Sequence, residues 1–545
     1  MKKNLFYSLL LIFLMCVSLL LSGCSSADAV SNEITINLGD EPYTIDPQLV
    51  FDATSMRVIN AMFEGLVRSD ENGEPVAGVA SSWEVSDDGL TYTFYLREEA
   101  KWWDGTDVTA YHFRDGWLRA IDPQPQNHEP SYMGDLLFCI EGALEYAYGE
   151  GDKEDVAIVA EDEKTLSVTL QSPAPYFLSL ISNSTFMPLN TDFYNDQPIE
   201  NNTTTYALES ETIIGNGPFE IASWDHQQGI VLKKNHSYWN SENIHLEKVN
   251  FKVITDNSAA FTAFKSGEID VIDITHDRQK EQLKDSRFHL DNYDSGVTQY
   301  VSINNEDDVL KNRNIRKALA YSLDRKTLVE EIVGSSSKEA LAFVNPIVRG
   351  KNRSFRNEAG NFFNDNDVKR AKCLLKTGLA QLGLTSLPEL TLLVDDKETS
   401  KRDAQAFQDM WRENLGIEVE IQVMPFDAMT DRMMQKNYQL SLLMWAGDFN
   451  DPLAYLDIFS AHNPFNVAFY NNTDFDSLLA RATSETDREK RIDMLIEAEE
   501  MVMEDMPIVP VYYLALDYAI NPRVNGLVRG NSPIQDIDLY WTYIE

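Results

Sequence analysis

The chain has 545 residues and a mass of 62.0 kDa, and 43% of its residues are hydrophobic and 11% aromatic, which is enough for a large core and more than one ordinary domain holds. Its 46 basic and 87 acidic residues give a formal charge of −41, and the lack of a basic patch argues against nucleic acid as a partner. Plentiful aromatic residues argue against a disordered chain.

The N-terminus has the pattern of an export signal. Lys2 and Lys3 precede an apolar run over residues 5–21, and Leu21-Ser22-Gly23-Cys24 follows. The run predicts a signal peptide over 1–23, although an uncleaved membrane anchor remains the alternative. The end of the run resembles a bacterial lipobox, and that resemblance implies cleavage before Cys24 and lipid attachment to its thiol, with 24–33 as a flexible tether.

The mature chain would keep two other cysteines, Cys139 and Cys373. They are far apart in sequence and lack the spacing of metal ligands, so we expect buried free thiols rather than a disulfide bridge.

Strands and helices alternate along the rest of the chain. Alternating or continuous apolar runs predict strands at 33–38, 83–85, 91–96, twice within 155–170, and at 249–253, 267–271, 300–305, 389–394, 419–423, 440–445 and 508–514. Helical spacing of apolar residues predicts helices at 56–66, from about 111, and at 258–265, 315–332, 368–379, 402–415 and 487–503. Asp88-Gly89 is a strong hairpin signal, and Thr109 is a candidate helix cap.

This rhythm favours α/β layers. The sequence shows no short repeat and no obvious linker near its middle. We therefore expect lobes that are each built from noncontiguous segments and joined by several crossings, which act as hinges.

Motifs of common catalytic chemistry are missing. The sequence contains no G-x-x-x-x-G-K-[ST], H-E-x-x-H, G-x-S-x-G or C-x-x-C. His226, His236 and His245 fall in one segment and could ligate a metal, but surface histidines between strands are the better interpretation. These observations favour binding over catalysis, with no cofactor and no metal.

One stretch, residues 438–457, reads YQLSLLMWAGDFNDPLAYLD and places acidic residues at the end of a buried strand. Asp451-Pro452 suits a helix N-cap followed by proline at the first helical position. The alternative is that a carboxylate, such as that of Asp448, points into a cleft and binds a cation.

Short motifs in a fixed order now connect the chain to a known family. The motifs are Tyr43-Thr44-Ile45-Asp46-Pro47-Gln48, Phe63-Glu64-Gly65-Leu66, the dense region 79–120, Asn216-Gly217-Pro218-Phe219, Ser266-Gly267-Glu268-Ile269-Asp270, Arg316-Lys317-Ala318-Leu319, Asp324-Arg325 and Ile508-Val509-Pro510-Val511-Tyr512-Tyr513. Each is weak alone, but their order over nearly the full length resembles the oligopeptide-binding lipoproteins of ABC importers, within extracytoplasmic solute-binding protein family 5.

The resemblance implies an α/β fold of the periplasmic-binding-protein-like type II (cluster C), with two lobes, a hinge and an extra domain. The implied division is 34–63, 189–295 and 513–545 for domain I, 64–188 for domain II and 296–512 for domain III. Such a cleft closes on an extended peptide whose main chain pairs with strand edges, while side chains occupy hydrated pockets.

The resemblance also assigns site residues. Asp448 falls on the aspartate that binds the α-ammonium of the peptide, and Trp445 falls on a pocket tryptophan. Tyr300 and Phe426 fall on aromatic residues beside the ligand, and Phe51 and Ala53 belong to a backbone segment that pairs with it. For each aromatic residue, including Tyr512 and Tyr513 near a crossing strand, plain core packing is an equal alternative.

The chain departs from the best-known pattern of the family at two places. Ala446 and Val297 replace a pair of cysteines. Leu442, Met433 and Ser400 stand near where basic residues meet the C-terminal carboxylate of the peptide, with Arg432 and Lys401 adjacent. The preferred length of the peptide therefore stays open, and a longer peptide, or one not bound at its C-terminus, fits this departure.

The expected function is that of a monomeric receptor, lipid-anchored on the outer face of a Gram-positive cytoplasmic membrane, that delivers oligopeptides to an ABC permease and its ATPase without performing chemistry. The alternatives are a receptor for a specific peptide pheromone and a family member that binds nickel, haem or an oligosaccharide. A surface peptidase is the least favoured.

Overall fold

The protein is represented by a computed structural model that describes residues 32–123, 131–201, 203–275, 277–284, 286–532 and 535–545. The predicted signal peptide, Cys24 and nearly all of the tether lie outside the described residues. Within the described part of the chain, no helix is both long and apolar enough to span a bilayer.

A mixed sheet of eleven strands runs through the molecule. Its strands lie in the spatial order Phe219–Asp225, Gly229–Lys234, Lys248–Lys252, Glu33–Asn37, Val271–Ile274, Ile508–Ile520, His289–Ile303, Leu440–Ala446, Leu390–Val394 and Val419–Val423, with Lys338–Glu339 pairing beside Ile508–Ile520. A separate antiparallel sheet has the order Ala80–Val85, Thr91–Leu96, Thr165–Thr169 and Ile158–Ala160. Helices cover these sheets, so the fold is α/β.

Two large hydrophobic cores divide the chain. One core takes buried residues from Ile34 to Phe251 together with a few later ones, including Tyr293 and Tyr518. The other takes residues from Tyr300 to Tyr512. We refer to the parts around these cores as the first lobe and the second lobe.

Nine helices in the described residues have eight or more residues. They are Ala53–Met62, Ala110–Ala120, Asn257–Ser266, Arg313–Tyr321, Val368–Leu382, Glu398–Leu415, Phe426–Met434, Thr473–Ser484 and Arg488–Asp505. Aspartate or asparagine side chains cap several of them; Asp256, for example, accepts a hydrogen bond of 2.7 Å from the backbone N–H of Ala259, which satisfies a donor that the helix itself leaves unpaired.

Most elements form where the sequence predicts them. The hairpin at Asp88-Gly89 is confirmed, and Gly89 has a positive φ of 73° that suits its turn. Thr109 is confirmed as the N-cap of Ala110–Ala120. The strand Val419–Val423 has the predicted bounds.

One predicted strand and three predicted helices differ from the structure. The strand predicted at 267–271 lies at Val271–Ile274, and the helix predicted at 402–415 begins at Glu398. The helix predicted at 56–66 covers Ala53–Met62, because the side chain of Asp52 caps it by accepting from the N–H of Ser55. The helix predicted at 315–332 breaks after Tyr321, and Asp324 caps the short piece that follows.

The cysteine prediction is confirmed in one respect. Cys139 and Cys373 are both free thiols, but only Cys139 is partly buried, and Cys373 is exposed on a surface helix.

Two long antiparallel strands, His289–Ile303 and Ile508–Ile520, pass from one lobe to the other. Their register shifts twice, between Asp294 and Thr298 and again between Gln299 and Tyr300, and the first shift is the longer interruption. Gly296, at the first shift, has a φ of +76°, a conformation that glycine adopts without strain. The irregular backbone between the two cores is where bending costs least, so we identify 295–297 as the hinge of these crossing strands.

Candidate functional site

A cavity of about 370 Å³ lies at the hinge, with walls from both lobes. We call it the central cavity. The described residues that line it are Phe51, Ala53, Met56, Arg57, Asn60, Met133, Tyr293, Asp294, Ser295, Val297, Ala446, Gly447, Asp448, Leu514, Leu516 and Gly530. Three site residues that the resemblance assigns, Phe51, Ala53 and Asp448, therefore lie around one space. Val297 and Ala446, which replace the pair of cysteines, line the same cavity.

The strand Leu440–Ala446 ends at this wall, and Asp448 lies two residues after it. This strand pairs antiparallel with the crossing strand so that Ala446 faces Val297 at the hinge. A Cβ on Gly447 would lie only 2.6 Å from the ring of Tyr455, so glycine lets that ring pack closely below the loop. The Tyr455 hydroxyl donates a hydrogen bond of 2.5 Å to the carbonyl of Gly296, which fixes the loop against the hinge.

Asp448 is a carboxylate without a described partner. No described residue donates a hydrogen bond to its side chain or forms an ion pair with it. Burial, together with the smaller effect of the nearby carboxylate of Asp135, raises its pKa to about 6. The site is therefore electrostatically prepared for a cation, which would favour the ionised form.

Asp451, three residues later, has the opposite environment. Its two oxygens accept hydrogen bonds of 2.6 and 2.8 Å from the guanidinium of Arg491. It also accepts from the N–H of Leu453 at 2.9 Å, at the start of the short helix Leu453–Leu456. The predicted cap is wrong by one residue, because the N-cap of this helix is Pro452 rather than Asp451 and the helix begins at Leu453. The carboxylate of Asp451 still satisfies a backbone donor at the start of the helix.

A second cavity, of about 340 Å³, shares Asp448 with the first. We call it the side cavity. The described residues that line it are Asp135, Leu136, Phe138, Cys139, Gln171, Ser172, Tyr176, Leu180, Trp445, Asp448, Phe449, Leu453, Ala454, Asp457, Ile458, Asn463 and Phe465. Trp445 belongs to this wall rather than to the central cavity, and its indole N–H donates to the carbonyl of Ala454 at 2.8 Å.

The lobes also touch beside the side cavity. The ring of Tyr176 from the first lobe stacks on Phe449 from the second, with centroids 4.7 Å apart. The backbone N–H of Asn450 donates to Ser179 Oγ at 3.0 Å. These contacts hold the loop that carries Asp448 between the two lobes.

Other aromatic candidates lie elsewhere. Tyr300 is only 4% exposed and packs edge-on against Phe343 in the second core, so the core-packing alternative describes it. Tyr512 and Tyr513 are buried as well. Phe426 is 55% exposed at the start of a surface helix and is not among the described residues that line either cavity.

At the positions expected to bind the peptide C-terminal carboxylate, no described basic side chain lines either cavity. Leu442, Met433 and Ser400 are buried in the second lobe. Arg432 donates to Gln422 Oε1 at 2.9 Å, and Lys401 pairs with Glu398. Neither Arg432 nor Lys401 is among the described lining residues.

Sequence reasoning missed Arg57, Asn60 and Asp135. Ala53, Arg57 and Asn60 are spaced by four and three residues on one helix, which places them on one face; a helix predicted from Ala53 would have revealed this face. Asp135 lies in a short 3₁₀ helix, Gly134–Cys139, whose sequence carries no periodic signal.

Within the described residues, the histidine segment makes contacts with acidic side chains. His226 lies between Glu41 and Glu209, with its Nδ1 2.6 Å from Glu41. Among the described residues, no group of three or more His, Cys, Asp or Glu side chains is arranged to hold a metal ion.

Two lobes that share continuous strands and enclose a cavity at a hinge define a cleft-type ligand-binding protein. The chain belongs to the bacterial extracellular solute-binding proteins of family 5, because the family model described as "Bacterial extracellular solute-binding proteins, family 5 Middle" matches residues 74–466. It is 34% identical to the oligopeptide-binding protein OppA of Bacillus subtilis (strain 168) over 541 residues, 96% of each chain.

Solved structures agree with this assignment. The murein tripeptide binding protein MppA in its unliganded open form superposes with a TM-score of 0.80 at 28% identity, over 95% of this chain and 98% of MppA. The pheromone receptor PrgZ superposes with a TM-score of 0.74 at 26% identity, over 95% of this chain and all of PrgZ. The predicted family and the type II fold class are confirmed.

Proposed function

We propose that the protein is a receptor that captures oligopeptides in the central cavity and delivers them to the permease of an ABC importer. The observation that carries the proposal is Asp448: a partly buried carboxylate at the hinge, without a described partner. A buried charge is costly unless it is paired, and closure of the lobes over a peptide α-ammonium would supply the missing partner.

The remaining parts of the proposal follow from the sequence and the relatives. Lipid attachment at Cys24 would hold the receptor on the outer face of the membrane, next to its permease. Backbone groups near Phe51 and Ala53 would pair with the peptide main chain, and the domain division predicted above would allow the first lobe to close on the second. No step of this function requires chemistry on the peptide.

The α-ammonium contact can be tested by calorimetry. Removing one member of a buried, hydrogen-bonded charge pair typically costs about 2–5 kcal/mol. Asp448→Ala and Asp448→Asn should therefore weaken binding of a free peptide by about tenfold or more. N-acetylation of the peptide should have a similar effect on the wild type and little further effect on the variants.

Asp427→Asn is the matched control, since it removes the same charge from an exposed position of the second lobe. Equal affinity of the wild-type protein for acetylated and free peptides would refute the role of Asp448.

A receptor for one specific peptide is the second candidate, because the pheromone receptor PrgZ shares the fold along its whole length. Native mass spectrometry of the purified protein separates the two. A nutrient receptor should carry a mixture of copurified peptides, whereas a signalling receptor should carry one peptide or none. Nickel, haem or an oligosaccharide in the spectrum would identify another solute.

A further inference from the structure

The side cavity has an unusual chemical character. Three of the described residues that line it are carboxylic acids, Asp135, Asp448 and Asp457, and none is Lys, Arg or His. Asp135 comes from the first lobe and the other two come from the second. Burial raises the pKa of Asp135 and of Asp457, as expected for acids that face a common space with few donors.

Aromatic rings form much of the remaining wall. Tyr176 and Phe449 stack with an interplanar angle of 17°, and the rings of Trp445 and Phe465 lie 5.6 Å apart. The faces of such rings attract ammonium and guanidinium groups, with Trp and Tyr the better partners. Carboxylates and aromatic rings around one cavity are thus complementary to the same kind of group, an organic cation on an apolar stem.

The position of the cavity indicates which part of a peptide enters it. Asp448 lies on the wall that the side cavity shares with the central cavity. If the α-ammonium of a peptide is bound there, the Cα of its first residue is fixed at the same wall. The first side chain is then the group closest to the side cavity, whose volume of about 340 Å³ holds a long side chain and several waters.

We infer that the side cavity is a specificity pocket for a cationic side chain, lysine or arginine, on the first residue of the bound peptide, with Asp135 as the residue that selects the charge. This inference rests on the proposed function and narrows its substrate class. Asp135 is suited to this role because it is exposed to the cavity and belongs to the opposite lobe from Asp448. Closure would then bring one carboxylate to each positive group of the ligand.

The test must separate this pocket from the general acidity of the protein, which attracts any cationic peptide. Arg-Ala-Ala-Ala and Ala-Ala-Ala-Arg have the same net charge and composition, so only a positional effect distinguishes them. We expect the wild-type protein to bind the first about tenfold more tightly in calorimetry, the difference that a desolvated charge pair with an aromatic contact gives. Met-Ala-Ala-Ala, with a long uncharged first side chain, should bind more weakly than Arg-Ala-Ala-Ala.

Asp135→Asn should reduce the preference for Arg-Ala-Ala-Ala to about threefold or less, while Ala-Ala-Ala-Arg should bind within about twofold of its wild-type affinity. Glu150→Gln, at an exposed position of the same lobe outside both cavities, should leave the preference unchanged. Asp457→Asn provides a second variant on the other side of the cavity, and it too should lower the preference.

Equal binding of the two arginine peptides, or a preference that survives in both aspartate variants, would overturn the pocket and leave peptide capture intact. If the wild-type protein binds none of the three peptides, the proposed function is refuted, and the specificity pocket is refuted with it. The two failures are therefore distinguishable in one set of titrations.

Discussion

Asp448 and Asp451 follow the same strand and lie three residues apart, yet their surroundings differ in burial and in the charged groups nearby. Asp451 is 8% exposed and is held by both arms of the Arg491 guanidinium and by a backbone N–H. Asp448 borders two cavities, and the nearest charge that affects it is another carboxylate, Asp135. One acid is satisfied within the protein, and the other is the residue that we propose as the partner of the peptide α-ammonium.

Asp451 and Asp448 illustrate how a structural acid differs from a candidate binding acid in a strongly acidic chain. Both types are withdrawn from water, so burial alone does not separate them. The separating property is whether the protein supplies the countercharge. A carboxylate with a raised pKa in a cavity between two lobes is a candidate for function, whereas a bidentate Arg–Asp pair at the start of a helix is part of the scaffold.

The largest expected effect is on stability, from Asp451→Ala. This change leaves the guanidinium of Arg491 buried without its partner, and breaking a buried pair in this way typically costs about 3–5 kcal/mol. Urea denaturation followed by far-UV circular dichroism would measure the free energy of unfolding. Asp427→Asn, at an exposed site, should stay within about 0.5 kcal/mol of the wild type. A loss below about 1 kcal/mol for Asp451→Ala would mean that the Arg491 pair is not structural.

Asp448→Asn should change stability in the opposite direction when no ligand is present. The pKa of about 6 in the folded protein exceeds the ordinary value of about 3.9, so the folded state holds a proton that the unfolded state releases. The stability that the neutral carboxyl provides is complete below about pH 4 and is lost as the pH rises through 6.

Asparagine does not ionise, so Asp448→Asn should be more stable than the wild type at pH 7 by up to about 2 kcal/mol, after allowance for solvent at the cavity wall. The advantage should vanish near pH 4. Unfolding curves of both proteins at the two pH values test this, and a variant that is less stable than the wild type at pH 7 would contradict the unpaired state of Asp448.

The motifs that make the family recognisable from sequence mostly build the scaffold. Asp46 pairs through both oxygens with Arg119, at 2.8 and 2.6 Å. Arg325 is fully buried against Asp365 and backbone carbonyls. Such buried polar contacts tolerate few residue types. The motifs that contain these residues, taken in their order along the chain, therefore predicted the fold.

The site was less predictable because its residues line a cavity and are not each paired with a neighbouring side chain. Asp448 was predicted as a site residue because it stands in a motif at the end of a strand. Tyr300 was misleading: alternate residues of a strand face opposite sides, and a strand covered on both sides does not reveal which side meets a ligand. Asp135 approaches Asp448 only through the packing of two lobes, because the two residues are 313 positions apart in the sequence.

The smallest expected effect is the pH dependence of peptide binding, which depends on the unpaired state of Asp448. A bound α-ammonium favours the ionised carboxylate and lowers the pKa of Asp448 in the complex, so binding releases a proton wherever the free carboxyl is protonated. With a pKa of about 6 in the free protein, about one tenth of the molecules are ionised at pH 5. Affinity should therefore fall about tenfold between pH 7 and pH 5.

The α-ammonium, with an ordinary pKa of about 7.7–8.0, stays charged throughout this range. A peptide with alanine at its first position avoids placing a charge in the side cavity, where burial also raises the pKa of Asp135 and of Asp457. Calorimetry in buffers of different ionisation enthalpy would count the protons released at pH 5.5. Asp448→Asn should bind weakly and with little pH dependence. A wild-type affinity that stays constant from pH 5 to pH 7 would place the peptide nitrogen away from Asp448.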